Sequence, residues 1–314
     1  EPLDNPEKAA ELFAELEEFG FYIGPQDLEK IEAGTASFYS GDAERLVMEN
    51  PAGFNFYALR GNQIFDVVIE EFDDGATDQI NMVGPFEHDI TIPEGIDIVS
   101  IPQGARAVDG TRFTMPLKTA VEFYMPVGAS YVRMGVGNDV VHTNNSDNAT
   151  VHAGEGDDRV VGNNLDTEDI NIFGGGGDDT LIGSAGDDVL DGGAGNDRLQ
   201  PNGGSDVIVL GSGDDIVDLR DRVGTIEVMD WKSAIQNNDA LYDRLFVNIS
   251  VYDELTDSSD KSQFLQRLIQ EGPDVVIYLN EGTPGDTNTA TFKAVFRNCE
   301  VSDFIEDNIT LLGG

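Results

Sequence analysis

Seven aspartates stand at one fixed place of a recurring nine-residue pattern, and they are the residues of this chain best suited to chemistry. From Gly174 the sequence runs GGGGDDTLI, GSAGDDVLD, GGAGNDRLQ, PNGGSDVIV and LGSGDDIVD in unbroken register, ending at Asp218. The sixth place holds Asp179, Asp188, Asp197, Asp206 and Asp215. Looser upstream copies, MGVGNDVVH from Met134 and AGEGDDRVV from Ala153, add Asp139 and Asp158. The second place holds Gly135, Gly154, Gly175, Ser184, Gly193, Asn202 and Gly211, and the fourth Gly137, Gly156, Gly177, Gly186, Gly195, Gly204 and Gly213. An aliphatic residue fills the eighth place in the unbroken run: Leu181, Leu190, Leu199, Ile208 and Val217.

These types at this spacing point to cation binding. Glycines permit the positive φ of a tightly curled turn. They also clear side chains away, so main-chain carbonyls share a space with the sixth-place carboxylate. An all-oxygen, hard donor set favours Ca²⁺ over zinc or copper. The last three residues of each nonapeptide make a very short strand whose eighth-place aliphatic faces a core. One nonapeptide supplies only part of a coordination shell. Two make one turn of a flattened right-handed coil, so each repeat stacks on the next but one and the ion sits between stacked turns. Asp179, Asp197 and Asp215 then line one edge, and Asp188 and Asp206 the other. Asp139 and Asp158 extend the first edge, while TNNSDNATV (from Thr143) and GNNLDTEDINIF (from Gly162) fill the opposite edge imperfectly, with fewer or weaker ions. Pro201-Asn202 replaces the glycine pair in one copy, where Asn202 still offers its carbonyl. A flexible Gly/Asp linker would not hold the register.

The pattern resembles the RTX (repeats-in-toxin) family, the haemolysin-type calcium-binding repeat proteins. The tandem resemblance covers 174–218, with looser copies from 134. It implies a parallel β-roll with calcium between its turns and secretion by a type I system through an uncleaved C-terminal signal. It places the protein outside, or on the surface of, a Gram-negative bacterium. Calcium then switches folding by compartment. Extracellular calcium modules bind at about 10⁻⁴–10⁻³ M, too weakly for the cytosol. Without the ion, neighbours such as Asp178 and Asp179 repel each other and the region stays unfolded.

The rest of the chain must position this array. It has 314 residues, with 60 Asp plus Glu against 18 Lys plus Arg, for a net charge of −42. A nucleic-acid partner is excluded by charge. No apolar run approaches the roughly 18 residues of a membrane span. No basic, apolar-cored leader opens the sequence, which suits a cytosolic protein, a trimmed chain or export without an N-terminal leader. The reading is mainly β: a right-handed parallel β-roll with a small N-terminal α/β domain over 1–85, a β segment and roll over 86–222, and a β-rich C-terminal cap with the secretion signal over 223–314. In the first part, NPEKAAELFAELEEFG is expected to be helical, with Asn5 as N-cap, Pro6 at the first position and Gly20 as the stop. QDLEKIEAG repeats that design. FNFYALRG and NQIFDVVIEEF read as a hairpin or meander. In the cap, stretches from Asp243, Pro273 and Thr289 alternate like strands, KSQFLQRLIQ (from Lys261) reads as an amphipathic helix, and Trp231 as a core residue.

Catalytic motifs are not found in the sequence. There is no HExxH zinc signature and no GxSxG elbow. His88, His142 and His152 read as surface or capping residues, Cys299 as a buried thiol, and Glu15, Glu17 and Glu18 as a solvated helix face. The expected function is nonenzymatic: an adhesin, S-layer-like or matrix component, with calcium ions and the secretion machinery as partners and self-association or a cell-surface ligand as further partners. The alternatives are a secreted hydrolase with its site in the first 130 residues, or the C-terminal part of a larger toxin or adhesin.

Overall fold

The computed structural model describes residues 106–115, 122–143, 148–162, 169–219, 224–231, 243–248, 261–278 and 292–312, together with seven upstream strands between 36 and 100. The chain divides into two compact units, Glu1–Ala149 and Thr150–Gly314.

In the first unit the described elements are strands. β1 (Ala36–Gly41), β3 (Phe54–Arg60), β5 (Gln79–Val83) and β7 (Ile98–Ser100) form one parallel sheet in that order. β2 (Arg45–Glu49) pairs in parallel with β4 (Asp66–Glu70). β6 (Ile90–Thr91), β8 (Arg106–Thr114) and β10 (Val127–Arg133) follow the same rule, as do β9 (Glu122–Tyr124) and β11 (Val140–His142). In each of these pairs the partners are next but one along the chain. This corrects the expected hairpin at FNFYALRG and NQIFDVVIEEF: β3 and β4 belong to different sheets and neither pairs with the other. Alternation specifies a strand but not its partner. The helices expected over 5–20 and 26–34 lie outside the described residues.

The second unit coils by the same rule, with glycine turns setting its pace. One sheet stacks β12 (Thr150–Glu155), β14 (Asn171–Gly176), β16 (Val189–Ala194), β18 (Gly204–Ser212), β20 (Gly224–Val228) and β24 (Phe292–Phe296), all parallel. The other stacks β13 (Arg159–Val161), β15 (Thr180–Ile182), β17 (Arg198–Gln200), β19 (Ile216–Leu219), β21 (Arg244–Asn248) and β25 (Ile309–Leu312). This is a parallel β-roll. Its core is two facing columns. Val151, Ile172, Leu190, Ile208 and Val228 stack in register on one sheet. Val160, Leu181, Leu199, Val217, Leu245 and Ile309 stack on the other. All eleven are fully buried. The eighth-place aliphatics alternate between the columns because two repeats make one turn.

Beyond the repeats the coil continues for further rungs, and an antiparallel pair, β22 (Leu268–Glu271) and β23 (Asp274–Tyr278), closes one sheet against β24. The expected helix from Lys261 is shorter than its periodicity suggested. Only Lys261–Leu265 is helical, and Leu268 onward is strand. Gly272-Pro273 supplies a turn that lets Ile269 and Gln270 pair with Val276 and Val275, and this tertiary pairing overrides the local helical pattern. Trp231 is buried, stacks on Phe304 at 5.1 Å and meets Phe296 edge-on at 5.0 Å. Among the described residues no helix is long and apolar enough to cross a membrane.

Candidate metal centre

The sixth-place aspartates are brought together as ladders along the two edges of the roll. On the first edge the Asp158 N–H donates to Asp179 Oδ1 at 2.8 Å, the Asp179 N–H to Asp197 Oδ1 at 2.8 Å, and the Asp197 N–H to Asp215 Oδ1 at 2.9 Å. On the second edge the Ile170 N–H donates to Asp188 Oδ1 at 2.9 Å and the Asp188 N–H to Asp206 Oδ1 at 3.0 Å. Each main-chain carbonyl in these ladders also accepts from the turn stacked on it, as Asp179 O does from the Arg198 N–H at 2.8 Å. Asp139, in the first unit, is likewise buried.

One oxygen of each of these carboxylates thus holds the backbone; in Asp188 the second also accepts a donor, the Ser184 N–H, whereas in Asp179, Asp197 and Asp206 it does not. Oδ2 of Asp179, Asp197 and Asp206 is buried without a hydrogen-bond donor. Beside Oδ2 of Asp179 and of Asp197 lies a main-chain carbonyl. A Cβ placed on Gly174 would collide with Asp179 Oδ2 and the Gly192 carbonyl, and one on Gly192 would collide with Asp197 Oδ2 and the Leu210 carbonyl. The glycine at the first place therefore keeps open a cradle into which a carboxylate and a carbonyl converge. At the second and fourth places, Gly154, Gly156, Gly175, Gly177, Gly193, Gly195, Gly211 and Gly213 all take positive φ, as do Asn202 and Gly204. Gly193 shows why: with φ +102°, its Cβ would strike the Gly175 carbonyl of the stacked turn. Gly135, Gly137, Ser184 and Gly186 do not take positive φ.

Burial makes these carboxylates costly to charge in the metal-free turn. It drives Asp179 and Asp206 up to about 8, against the backbone hydrogen bonds they accept and with help from neighbouring aspartates. Burial drives Asp188 and Asp197 up to about 6. In Asp188 the donors from Ile170 and Ser184 hold the rise down. Among the described residues no three His, Cys, Asp or Glu side chains converge on one point. The oxygens that stand beside the Asp179 and Asp197 carboxylates are the Gly192 and Leu210 carbonyls. Donor-free buried carboxylate oxygens beside carbonyls, with no nitrogen or sulfur ligand, fit a hard divalent cation such as Ca²⁺. When bound, it supplies the positive charge that lets the carboxylates stay ionised inside the turn.

Two ladder residues lie outside the sequence pattern. Asp243, fully buried, accepts the Asp215 N–H at 3.3 Å and continues the first edge. Its signal is a repeated tripeptide: Asp243-Arg244-Leu245 copies Asp197-Arg198-Leu199. Asp230 accepts the Leu210 and Gly211 N–H groups at 2.7 and 2.9 Å. A second, exposed ladder uses the fifth places: Asp157 accepts from Asp178, Asp178 from Asn196, and Asn196 from Asp214.

His88 lies outside the described residues. His142 lies 3.1 Å from Glu122 and stacks on Tyr124, and His152 stacks on Phe173. The Cys299 thiol is buried and pushed up to about 12 by that burial.

Residues 135–164, 171–199 and 202–220 match the family model of the RTX calcium-binding nonapeptide repeat. No curated protein and no solved structure matches the chain. The nine-residue register, the stacked aspartate ladders and this match show that the chain carries RTX calcium-binding nonapeptide repeats folded as a parallel β-roll.

Proposed function

We propose that this is an exported protein whose roll folds on calcium outside the cell and then serves a nonenzymatic, structural or adhesive role. The observation that carries the reading is the buried, donor-free Oδ2 of Asp179, Asp197 and Asp206. A turn built this way is unfavourable without a cation and favourable with one, so the ion decides whether the region folds. RTX repeats usually occur in secreted proteins, which supports export. The gradient between a calcium-poor cytosol and a millimolar exterior suits sites of the extracellular affinity class. The chain then leaves the cell unfolded and locks once outside. The absence of a zinc or serine-hydrolase motif from the sequence supports a role in which the rigid roll is itself the product. On this reading the type I machinery is the export partner and the segment after residue 222 carries the signal.

The test has two arms. Far-UV circular dichroism of the full chain, titrated with calcium from chelator to about 10 mM, is expected to show a cooperative gain of β signal. No gain would sink the calcium-gated fold. Coexpression with a type I exporter is expected to move the full chain into the medium, and a chain cut after residue 250 is expected to stay inside. Equal export of both removes the C-terminal signal from the reading.

A further inference from the structure

The turns of the roll are not equivalent. In the repeats from Gly174, Gly192 and Leu210, the second-place glycines Gly175, Gly193 and Gly211 have φ of +111°, +102° and +93°. In the repeat from Gly183 neither Ser184 nor Gly186 takes a positive φ. The main chain there runs differently, and its polar groups turn inward. The Ser184 N–H donates to Asp188 Oδ2 at 2.5 Å. The Ser184 hydroxyl lies 2.9 Å from Asp188 Oδ1 and 3.1 Å from Oδ2, and it accepts the Gly186 N–H at 3.0 Å. The turn stacked on it closes the space from the other side. Asn202, with φ +69°, donates through Nδ2 to the Gly183 carbonyl at 2.7 Å, and its Oδ1 accepts from Gln200 at 2.7 Å. Asp188, Ser184 and Asn202 are all buried.

The contrast with the first edge is one of lone pairs. Asp179 and Asp197 each keep one buried oxygen that no donor reaches. Asp188 has both oxygens occupied by N–H and O–H donors. A calcium ion takes about six to eight oxygen ligands. At this turn Oδ2, the oxygen that no donor reaches in Asp179 and Asp197, already accepts the Ser184 N–H, and the positive end of an amide group points into the gap between the stacked turns. A cation would have to displace buried hydrogen bonds to enter.

We infer that the turn Gly183–Asp188 is closed by its own side-chain donors and carries no calcium ion, so that this position is a metal-free clasp in an otherwise calcium-loaded roll. The clasp fixes the stacking of the repeat from Gly183 on the repeat from Pro201 whether or not calcium is present. The inference rests on the calcium reading of the neighbouring turns.

Ion counting on the full chain tests it, with calcium chloride titrated calorimetrically into chelator-treated protein and the count checked by equilibrium dialysis. Asparagine keeps Oδ1 as an acceptor, so Asp188→Asn and Asp197→Asn both preserve the ladder hydrogen bond. Asp188→Asn is expected to bind as many ions as the parent, and Asp197→Asn one fewer. The double variant Ser184→Gly with Asn202→Gly removes the clasp donors and restores the glycine pattern, and it is expected to bind one more. Loss of an ion from Asp188→Asn overturns the inference, as does an unchanged count in the double variant, which is read even where Asp188→Asn fails to fold. An unchanged count in Asp197→Asn overturns the calcium reading beneath it, a distinguishable failure.

Discussion

Truncating one core leucine should move the calcium requirement of the whole roll. Leu199 is fully buried on β17, stacked in register between Leu181 and Val217. Leu199→Ala opens a cavity that these neighbours cannot collapse into, because the ladder hydrogen bonds on either side fix the spacing of their backbones. Buried Leu→Ala substitutions cost about 2–5 kcal/mol, and a site so constrained belongs near the middle, about 3 kcal/mol. Calcium binding and folding are linked, so the lost stability must be made up by more calcium. Shared over on the order of three ions taken up together, the deficit is about 1 kcal/mol per ion, or roughly a fivefold rise in the calcium midpoint. The assay is a calcium titration followed by far-UV circular dichroism, with Thr180→Ala as the control. Thr180 lies on the outward-facing side of β15, and a surface change of this kind stays within about 0.5 kcal/mol. A Leu199→Ala midpoint within twofold of the parent would show that core packing and ion uptake are not one cooperative unit, and would falsify the reasoning.

Acid should replace calcium in part. The carboxyls of Asp179 and Asp206 sit at about 8 in the metal-free fold and those of Asp188 and Asp197 at about 6, all above their unfolded value of 3.8. Their contribution is therefore fully present below 3.8 and is lost as pH rises through about 6 and then about 8. In chelator, β signal should rise as pH falls from 8.5 to 4, on the order of the pKa span just given; a flat or falling signal contradicts it. Gly193→Ala should cost about 1–2 kcal/mol or more, from a left-handed φ and a collision with the Gly175 carbonyl. Gly203→Ala should be nearly neutral, since the nearest atom to its Cβ is 3.7 Å away; equal denaturation midpoints for the two variants would remove the steric argument. Asp230→Ala leaves the Leu210 and Gly211 N–H groups without their acceptor and should cost about 1–3 kcal/mol in urea denaturation.

What could be read in the sequence was whatever the nine-residue period encodes directly. The sixth-place aspartates form ladders because identical spacing puts identical groups at the same height on successive turns. The eighth-place aliphatics form the core columns for the same reason. Once the period lapses, so does legibility. Asp243 lies 28 residues after Asp215, across an insertion no register can bridge, yet it occupies the next rung of the same ladder. The parallel pairing of β3 and β4 with partners in different sheets is a tertiary choice that alternation does not specify. The different roles of Asp188 and Asp197 depend on φ at the second and fourth places, and the letters S-A-G and G-A-G barely distinguish those conformations. Ser184 was visible as a departure from glycine, but its hydroxyl and N–H reach Asp188 only in the altered turn.

What fills the core changes along the second unit. In the repeats each three-residue strand sends one side chain inward, as Leu181 and Leu199 do, and the six-residue turn buries carboxylates instead of apolar groups. So thin a core offsets little of the entropy of fixing nine residues, and the balance falls to the ion. Past Val228 the architecture is unchanged, since β20, β24, β21 and β25 still stack in parallel. The filling is different. Trp231, Phe264, Phe296 and Phe304 are buried there, three of them in mutual ring contact, and Arg297 ties Glu227 to Asp274 across the closing strands. Aromatic side chains bury far more surface per residue than the single aliphatics of the repeats. In one of the two sheets the antiparallel β22 and β23 cover the edge that β24 would otherwise present. If the aromatic rungs fold first, they give the repeats a preformed strand to stack on, and uptake of the first ion adds a turn to an existing edge without having to nucleate one.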